Sequence, residues 1–360
     1  MKNKKSKNLK LILLLFSFFI ISILSIYSFS IFISSNQYSL VIKQTIFFII
    51  GIILIFLINK IDITIILKYS FLIYIINVLL LLFVLFFGAV KNGIKAWIDI
   101  PLLGSFQPSE FMKIGLILML SKLSLDFDNK KNSFKNEFNF IIKCFIIILI
   151  PSILTFLEPD TGAIFIYIVL FLFILYASKL RKRWFIIFIL FGALSLGSIL
   201  YLYLFKKTIF INIFGNSLFY RLDRLFDWSN SSGMQLENSL IVFGSTKIFG
   251  RGINNIGLYY PEGHTDFIFT SFFSIFGIIG SVILFILIIY FDFYLLNLCN
   301  KKNNIYKYIT FGVIGIILYQ QIQNISMTIG LLPITGITLP FISYGGSSLI
   351  SYMILIGLLI

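Results

Sequence analysis

Ten apolar stretches occupy most of this chain of 360 residues. A helix needs about 20 apolar residues to cross the hydrocarbon core of a membrane, where each segment must satisfy its own backbone hydrogen bonds. We therefore predict an all-α integral membrane protein with ten transmembrane helices. The predicted spans, of which the second, fourth and sixth are short, are Leu9–Ile33, Gln44–Ile58, Ile63–Phe87, Glu110–Leu123, Phe138–Leu157, Gly162–Ala177, Trp184–Phe205, Phe267–Phe291, Tyr306–Gly330 and Phe341–Ile360.

The composition supports this class and excludes others. Hydrophobic residues make up 59% of the chain and charged residues 12%, whereas soluble domains average about 45–50% and about 25%. A formal net charge of +15 would suggest nucleic-acid binding in a soluble protein, but no nucleic-acid or nucleotide motif accompanies it. Cys144 and Cys299 lie in or beside apolar stretches, which favours inert buried thiols over a disulfide framework.

The basic residues predict the orientation of the spans. With the N-terminus inside, more than half of the 29 Lys and Arg fall in the inner segments, and short loops rich in Lys and Arg are cytoplasmic. Both termini are thus expected in the cytoplasm. The chain is interpreted as a single polytopic domain, residues 1–360, with a large extracytoplasmic loop at about 206–266 between the seventh and eighth helices.

This topology brings the unusual polar strings to one face. The outer face receives WID, QPSEFMK, EPD, the long loop with PEGHTDFIF, and LLPITGITLPFISYGGSS. Each string taken singly is explained by a solvated linker. Together, from five parts of the chain, they favour an outward-facing site.

Lys113 is an ionisable residue placed about one turn inside the fourth predicted span. Glu110 precedes it by three positions, so the two side chains share a helix face and the ion pair offsets part of the cost of burial. Ionisable residues within a membrane indicate function by default, whereas a lysine that reaches back to the interface is the plain alternative. Ser109 is the predicted N-cap of this helix.

Several strings then identify a family. WIDIPLLGSFQPSEFMK, EPDTGA, YRLDR, MQLENSLIVFGS, PEGHTDFIF, NISMTIGLLPITGITLP and FISYGGSSL resemble, in this order, the SEDS proteins (RodA, FtsW and SpoVE). The resemblance implies a peptidoglycan glycosyltransferase that polymerises lipid II on the outer face of the bacterial cytoplasmic membrane, with a class B penicillin-binding protein transpeptidase as partner. WID, and GLLPITGI without a lysine, favour the elongation branch (RodA) and its machinery over the division and sporulation branches.

The chemistry of such a polymerase calls for a carboxylate base and for cations that stabilise a leaving diphosphate. Asp266 is the predicted general base, at the position of the acid that the resemblance implies is catalytic; capping the eighth helix is its alternative role. Arg221 and Arg224 can present two guanidinium groups to diphosphate oxygens, unless Asp223 or Asp227 pairs with them. Lys113 or a divalent cation, Mg²⁺ or Mn²⁺, can share this load, and no organic cofactor is expected.

The remaining residues complete a predicted substrate site. Trp97 suits stacking on a sugar or anchoring at the membrane interface, and a lone histidine is poor evidence for a protein metal site. Glycines and serines near the C-terminus can offer donors to phosphate. The predicted substrate-binding residues are Trp97, Glu110, Lys113, Asp160, Arg221, Arg224, Gln235, Glu262, His264, Thr265, Asn324, Ser343, Gly345, Gly346 and Ser347.

The chain also departs from the family pattern. Ser274 and Ile275 stand where a pair of glutamates is usual, and Ala96 stands where arginine usually precedes Trp97, with Lys95 one residue earlier. We expect activity to be retained. A lipid II flippase or other transporter and a scaffold without catalysis are the alternatives from other classes.

Overall fold

The computed structural model describes residues 2–33, 38–91, 93–100, 104–131, 133–227, 234–299 and 304–360. It is predominantly helical, as expected. The described helices are α1 (Lys2–Ser30), α2 (Tyr38–Ile58), α3 (Ile63–Lys68), α4 (Ser70–Phe87), α5 (Pro108–Asp128), α6 (Phe134–Leu157), α7 (Thr161–Ala177), α8 (Lys182–Phe205), α9 (Lys207–Asp227), α10 (Met234–Ser245), α11 (Ile268–Leu298), α12 (Asn304–Thr328) and α13 (Gly346–Gly357).

The apolar stretches form helices, but the bounds of most of them differ from the predicted ones by several residues. The third stretch is divided at Tyr69, which ends α3 and precedes α4. The tenth helix begins at Gly346 rather than Phe341, because the preceding proline and glycine segment stays irregular. Within the described residues, six helices are long and apolar enough to cross a membrane: α1, α2, α4, α6, α8 and α11.

Helix α11 contains a reversal that hydropathy does not predict. Gly277 has φ 62° and ψ −155°, so the helix is interrupted there. The centres of the Phe269 and Phe285 rings lie 5.7 Å apart. In a straight helix, 16 residues would separate them by about 24 Å. The segment before Gly277 therefore turns back on the segment after it.

The predicted loop at 206–266 is more regular than expected, because it contains α9 and α10. A second addition is a small antiparallel sheet between α4 and α5. Its strands β1 (Ala89–Lys91), β2 (Ile94–Ile100) and β3 (Gly104–Phe106) are arranged in that order. The sheet places Trp97 above the start of α5.

Helices α5 and α12 form the centre of the bundle. Met112, Leu116, Val313 and Ile316 are each 0% exposed. By contrast, α8 buries only Trp184 near its start. Its apolar side chains are left to face lipid, which favours such surfaces.

Candidate functional site

A cavity of about 190 Å³ lies at one end of the bundle. Its wall includes residues at or just before the N-termini of four helices: Gln107 for α5, Asp160 for α7, Asp266 for α11 and Ser347 for α13. The N-terminus of a helix carries a partial positive charge and exposes backbone N–H groups. The ends of α5, α11 and α13 are therefore arranged to attract anions, whereas the α7 end is already capped by the Asp160 carboxylate.

Asp266 lies on the cavity wall two residues before α11 begins. It is not the N-cap, which is Phe267, so the alternative capping role does not apply. The Asn324 side chain donates to the Asp266 backbone carbonyl at 2.8 Å. Gly336 stands opposite the carboxylate, where an added Cβ would lie 3.6 Å from Oδ2.

The surroundings of Asp266 favour its protonated form. Burial, followed by the negative charges of Glu262 and Asp160, raises the pKa of Asp266 from 3.8 to about 7. A carboxylate with a pKa near neutrality is matched to general-base work, since it accepts a proton readily yet is ionised in part at the operating pH. Asp266 therefore has the electrostatic character of a base.

Glu262 and Thr265 flank this carboxylate. Glu262 has φ +57°, a conformation that non-glycine residues rarely adopt. Its backbone carbonyl accepts from the N–H groups of Thr265 and Phe267, and its carboxylate accepts from the Thr265 hydroxyl. The strained turn holds both side chains on the cavity wall.

The Asp160 side chain joins α5 and α7 near the cavity. It caps α7 by accepting from the Ala163 N–H, and its other oxygen accepts from the Gln107 amide and the Ser109 hydroxyl at 3.1 Å each. Burial nonetheless raises the pKa of Asp160. The sequence predicted Ser109 as the N-cap of α5, and this prediction is wrong. The N-cap is Gln107, because the helix begins at Pro108.

The predicted pair of Glu110 and Lys113 is present. The Lys113 ammonium group contacts the Glu110 carboxylate and lies 4.7 Å from the centre of the Tyr352 ring. Lys113 is 1% exposed, so it does not reach back to the interface. Ser351 donates to the same carboxylate at 3.3 Å.

The C-terminal glycine and serine segment is held from α2. The Gln44 side chain donates to the Ser343 carbonyl at 3.1 Å and accepts from the Gly345 N–H at 3.3 Å. The Ser343 hydroxyl donates to the Thr265 carbonyl at 2.7 Å. Sequence reasoning missed Gln44, because a glutamine inside an apolar stretch gives no local signal of its role.

The predicted residues fall into three groups. Trp97, Glu110, Lys113, Asp160, Glu262, Thr265, Asp266 and Ser347 line the cavity. His264, Gln235, Asn324, Ser343, Gly345 and Gly346 are not among its described lining residues, and their contact with substrate stays a prediction. The side chains of Arg221 and Arg224 lie outside the part of the structure that is described.

The residues away from the cavity wall have structural contacts instead. Gln235 donates to the Pro261 carbonyl, and His264 stacks on Phe29. Burial lowers the pKa of His264, which favours the neutral ring. Asn324 is 0% exposed and bridges the carbonyls of Asp266 and Ile337.

Two polar residues that the sequence did not single out also reach the cavity. Gln320 Oε1 and Thr335 Oγ1 are buried without a hydrogen-bond partner in the described part of the chain. Buried polar atoms are normally satisfied, so these two are available to a ligand. No group of three His, Cys, Asp or Glu suited to a metal ion occurs among the described residues.

The fold and the cavity together define a multi-pass membrane protein with an acid-lined site at one end of its helical bundle. Residues 8–360 match the family model FTSW_RODA_SPOVE, described as cell cycle protein. The chain therefore belongs to the FtsW/RodA/SpoVE family, as the sequence motifs indicated.

Individual relatives agree with this membership. The chain is 35% identical over 350 residues to "Probable peptidoglycan glycosyltransferase FtsW" of Wigglesworthia glossinidia brevipalpis, covering 92% of this chain and 86% of that protein. It is 28% identical over 334 residues to stage V sporulation protein E of Bacillus subtilis, covering 88% and 85%.

Solved structures share the fold. A chain of a peptidoglycan synthase complex, whose structure is described as coordinating polymerization and crosslinking, has a TM-score of 0.74 at 23% identity and 95% coverage of each chain. The rod shape determining protein RodA of Thermus thermophilus has a TM-score of 0.70 at 22% identity, covering 97% of this chain and 94% of that chain.

Proposed function

We propose that this protein is a peptidoglycan glycosyltransferase that polymerises lipid II into glycan strands. The observation that carries the proposal is the placement of Asp266, a carboxylate with a pKa raised to about 7, on a cavity bounded by four helix N-termini. The relatives named peptidoglycan glycosyltransferase FtsW support the same reaction.

The reaction assigns a role to each part of the cavity. A hydroxyl of one bound sugar attacks the anomeric carbon of another, and its proton passes to the Asp266 carboxylate. The bond between the anomeric carbon and the diphosphate oxygen breaks, and the diphosphate leaves on its lipid. The helix N-termini stabilise the negative charge of that leaving group.

A divalent cation would fit this cavity only when shared between the protein and the substrate. Because no three suitable ligands converge in the described residues, the protein offers no complete cage. Mg²⁺ is commonly held by one or two carboxylates together with substrate phosphates. We propose that Asp160 or Glu262 supplies such a carboxylate, so that a bound cation would neutralise the diphosphate while Asp266 stays free to accept the proton.

The topology proposed from sequence is consistent with the helices. Ten spans result if α3 and α4 count as one and if α9 and α10 lie outside the membrane. The helices whose N-termini meet at the cavity, α5, α7, α11 and α13, are then four of the five even-numbered spans. With both termini cytoplasmic, the even-numbered spans run inward from the outer face of the cytoplasmic membrane, so we propose that the cavity opens at that face.

The partner and the branch follow from different observations. We propose a class B penicillin-binding protein as partner, supported by the likeness to a chain of a peptidoglycan synthase complex. The elongation branch was inferred from WID and GLLPITGI, whereas the sequence relatives carry FtsW and sporulation names and weigh toward division. The location of the tagged protein in cells distinguishes the two branches: the lateral wall indicates elongation and the septum indicates division.

Transport of lipid II is a second candidate, because polar side chains continue below the cavity. Gln321 donates to Asp292 at 3.2 Å between α12 and α11. Farther along α12 toward its start, however, Val313, Ile316 and Ile317 form a fully buried apolar layer. A polar path along this helix therefore ends inside the bundle, which favours a site that is closed below.

The test is glycan synthesis from lipid II by the purified protein with its partner and added Mg²⁺ or Mn²⁺. We expect polymer from the wild type and none from folded Asp266→Ala. Equal polymer from both would remove Asp266 as the base. No polymer from either, with lipid II translocation intact, would favour transport.

A further inference from the structure

We propose that the Lys91 ammonium group binds an oxyanion of the substrate at the cavity. This inference rests on the proposed function and adds a recognition residue to it. Lys91 ends strand β1 and lines the cavity together with Trp97. It was not among the residues predicted from sequence.

Lys113, the other lysine that lines the described cavity wall, already has its charge compensated. Its ammonium group contacts Glu110 and the face of the Tyr352 ring, and its side chain is 1% exposed. Drawing it toward a ligand would leave the Glu110 carboxylate without its cation, which is costly at a buried position. Lys113 is therefore better suited to hold the site together than to follow a substrate.

Lys91 has the opposite character. Its side chain is 40% exposed and contacts the Asp99 carboxylate, whose side chain is 58% exposed. Ion pairs in contact with water contribute little to stability, so Asp99 can be exchanged for a ligand oxyanion at low cost. The ammonium group also contacts the Ser105 hydroxyl of β3 and lies 6.0 Å from the centre of the Trp97 ring. The small sheet thus holds the cation beside an aromatic surface suited to a sugar.

The neighbouring residues do not supply this cation. Ala96, at the position where the family usually has arginine, is 0% exposed. The Lys95 ammonium group donates to the Phe86 carbonyl at the end of α4, and Lys95 is not among the lining residues of the cavity. Within the described hairpin, Lys91 is therefore the residue that replaces the missing positive charge.

The oxyanion can belong to the diphosphate of lipid II or to a carboxylate of its peptide. Both bind an ammonium group by charge-assisted hydrogen bonds. The geometry fixes the chemistry of the group, and the experiment distinguishes its two sources.

The experiment compares Lys91→Gln and Lys91→Arg with Lys95→Gln, a matched control that removes a lysine from the same hairpin. Binding of fluorescently labelled lipid II to the full-length protein is measured by anisotropy, which needs no turnover. We expect Lys91→Gln to weaken binding roughly tenfold, equivalent to about 1.4 kcal/mol. The dissociation constants of Lys91→Arg and Lys95→Gln for lipid II should stay within about twofold of the wild-type value.

Competition then identifies the anion. If inorganic diphosphate displaces labelled lipid II less readily from Lys91→Gln than from the wild type, the diphosphate is the ligand of Lys91. If the difference between the proteins disappears with lipid II whose peptide carboxylates are amidated, the peptide is the ligand. Equal binding by Lys91→Gln and the wild type would overturn the proposal even if polymerisation proceeds, and weaker binding by Lys91→Gln would support it even if no polymer forms.

Discussion

Replacing Asp266 by asparagine is predicted to remove activity and to stabilise the fold in a pH-dependent manner. The raised pKa means that the folded protein holds the proton more tightly than the unfolded chain does. The stability associated with the neutral carboxyl group is fully present below 3.8 and is lost as the pH rises through about 7. That range corresponds to on the order of 4 kcal/mol, at about 1.4 kcal/mol for each pKa unit.

Asparagine keeps the shape of the side chain and removes its ionisation. Asp266→Asn should therefore unfold at nearly the same temperature as the wild type near pH 4, and at a clearly higher temperature at pH 8. Thermal unfolding of both proteins in one detergent, followed by tryptophan fluorescence from pH 4 to 8, measures the difference. Asp62→Asn is the control, because Asp62 is an exposed N-cap of α3 whose replacement should give no such rise.

The same substitution tests catalysis. Loss of a general base reduces rates by roughly 10²–10⁴-fold, and polymer formation should fall by that factor. In the wild type the rate should increase with pH through about 7, since the base must be ionised. Polymerisation by Asp266→Asn within tenfold of the wild type, or a gain in unfolding temperature that does not depend on pH, would refute the reasoning.

Three further substitutions test the surroundings of the cavity. Lys113→Met should cost about 3–5 kcal/mol by leaving Glu110 unpaired, and adding Glu110→Gln should restore much of the unfolding temperature. Gly336→Ala should cost about 1–3 kcal/mol, because φ is +68° there, and should reduce kcat because the new methyl group faces Asp266; unchanged kcat would contradict this. Gln44→Leu should lower kcat with little change in KM by releasing Ser343 and Gly345, whereas Thr45→Ala, which loses only a bond to Val41, should leave the polymerisation rate unchanged.

The helices of this chain were predictable to the extent that hydropathy determines them. Apolar stretches long enough to span a membrane became helices, because a helix satisfies its backbone hydrogen bonds within one segment. The reversal at Gly277 was not predictable, since the apolar sequence continues on both sides and only the tertiary contact of Gly277 with residues 247–250 distinguishes the turn.

The site divides in a similar way. Asp266 and Lys113 were recognisable because charge is unusual in such an apolar sequence. Gln320 and Thr335 were not, because neutral polar residues are common enough in membrane helices and loops to carry no signal. Their importance depends on which of them face the cavity, and that is decided by packing.

His264 shows the limit of a distinctive residue type. It is the one histidine of the chain and stands two residues before the catalytic candidate, which made it an attractive substrate ligand. The structure stacks its ring on Phe29, with Tyr344 nearby. The sequence alone does not distinguish a residue that contacts substrate from one that packs against its neighbours when both lie in the same turn.

The most direct test of the account places the purified protein and its partner in liposomes that contain lipid II, and follows glycan formation and lipid II translocation in the same sample. The account predicts glycan strands from the wild type, their loss in Asp266→Asn, and no translocation by either protein. Translocation by both proteins without glycan strands would contradict it.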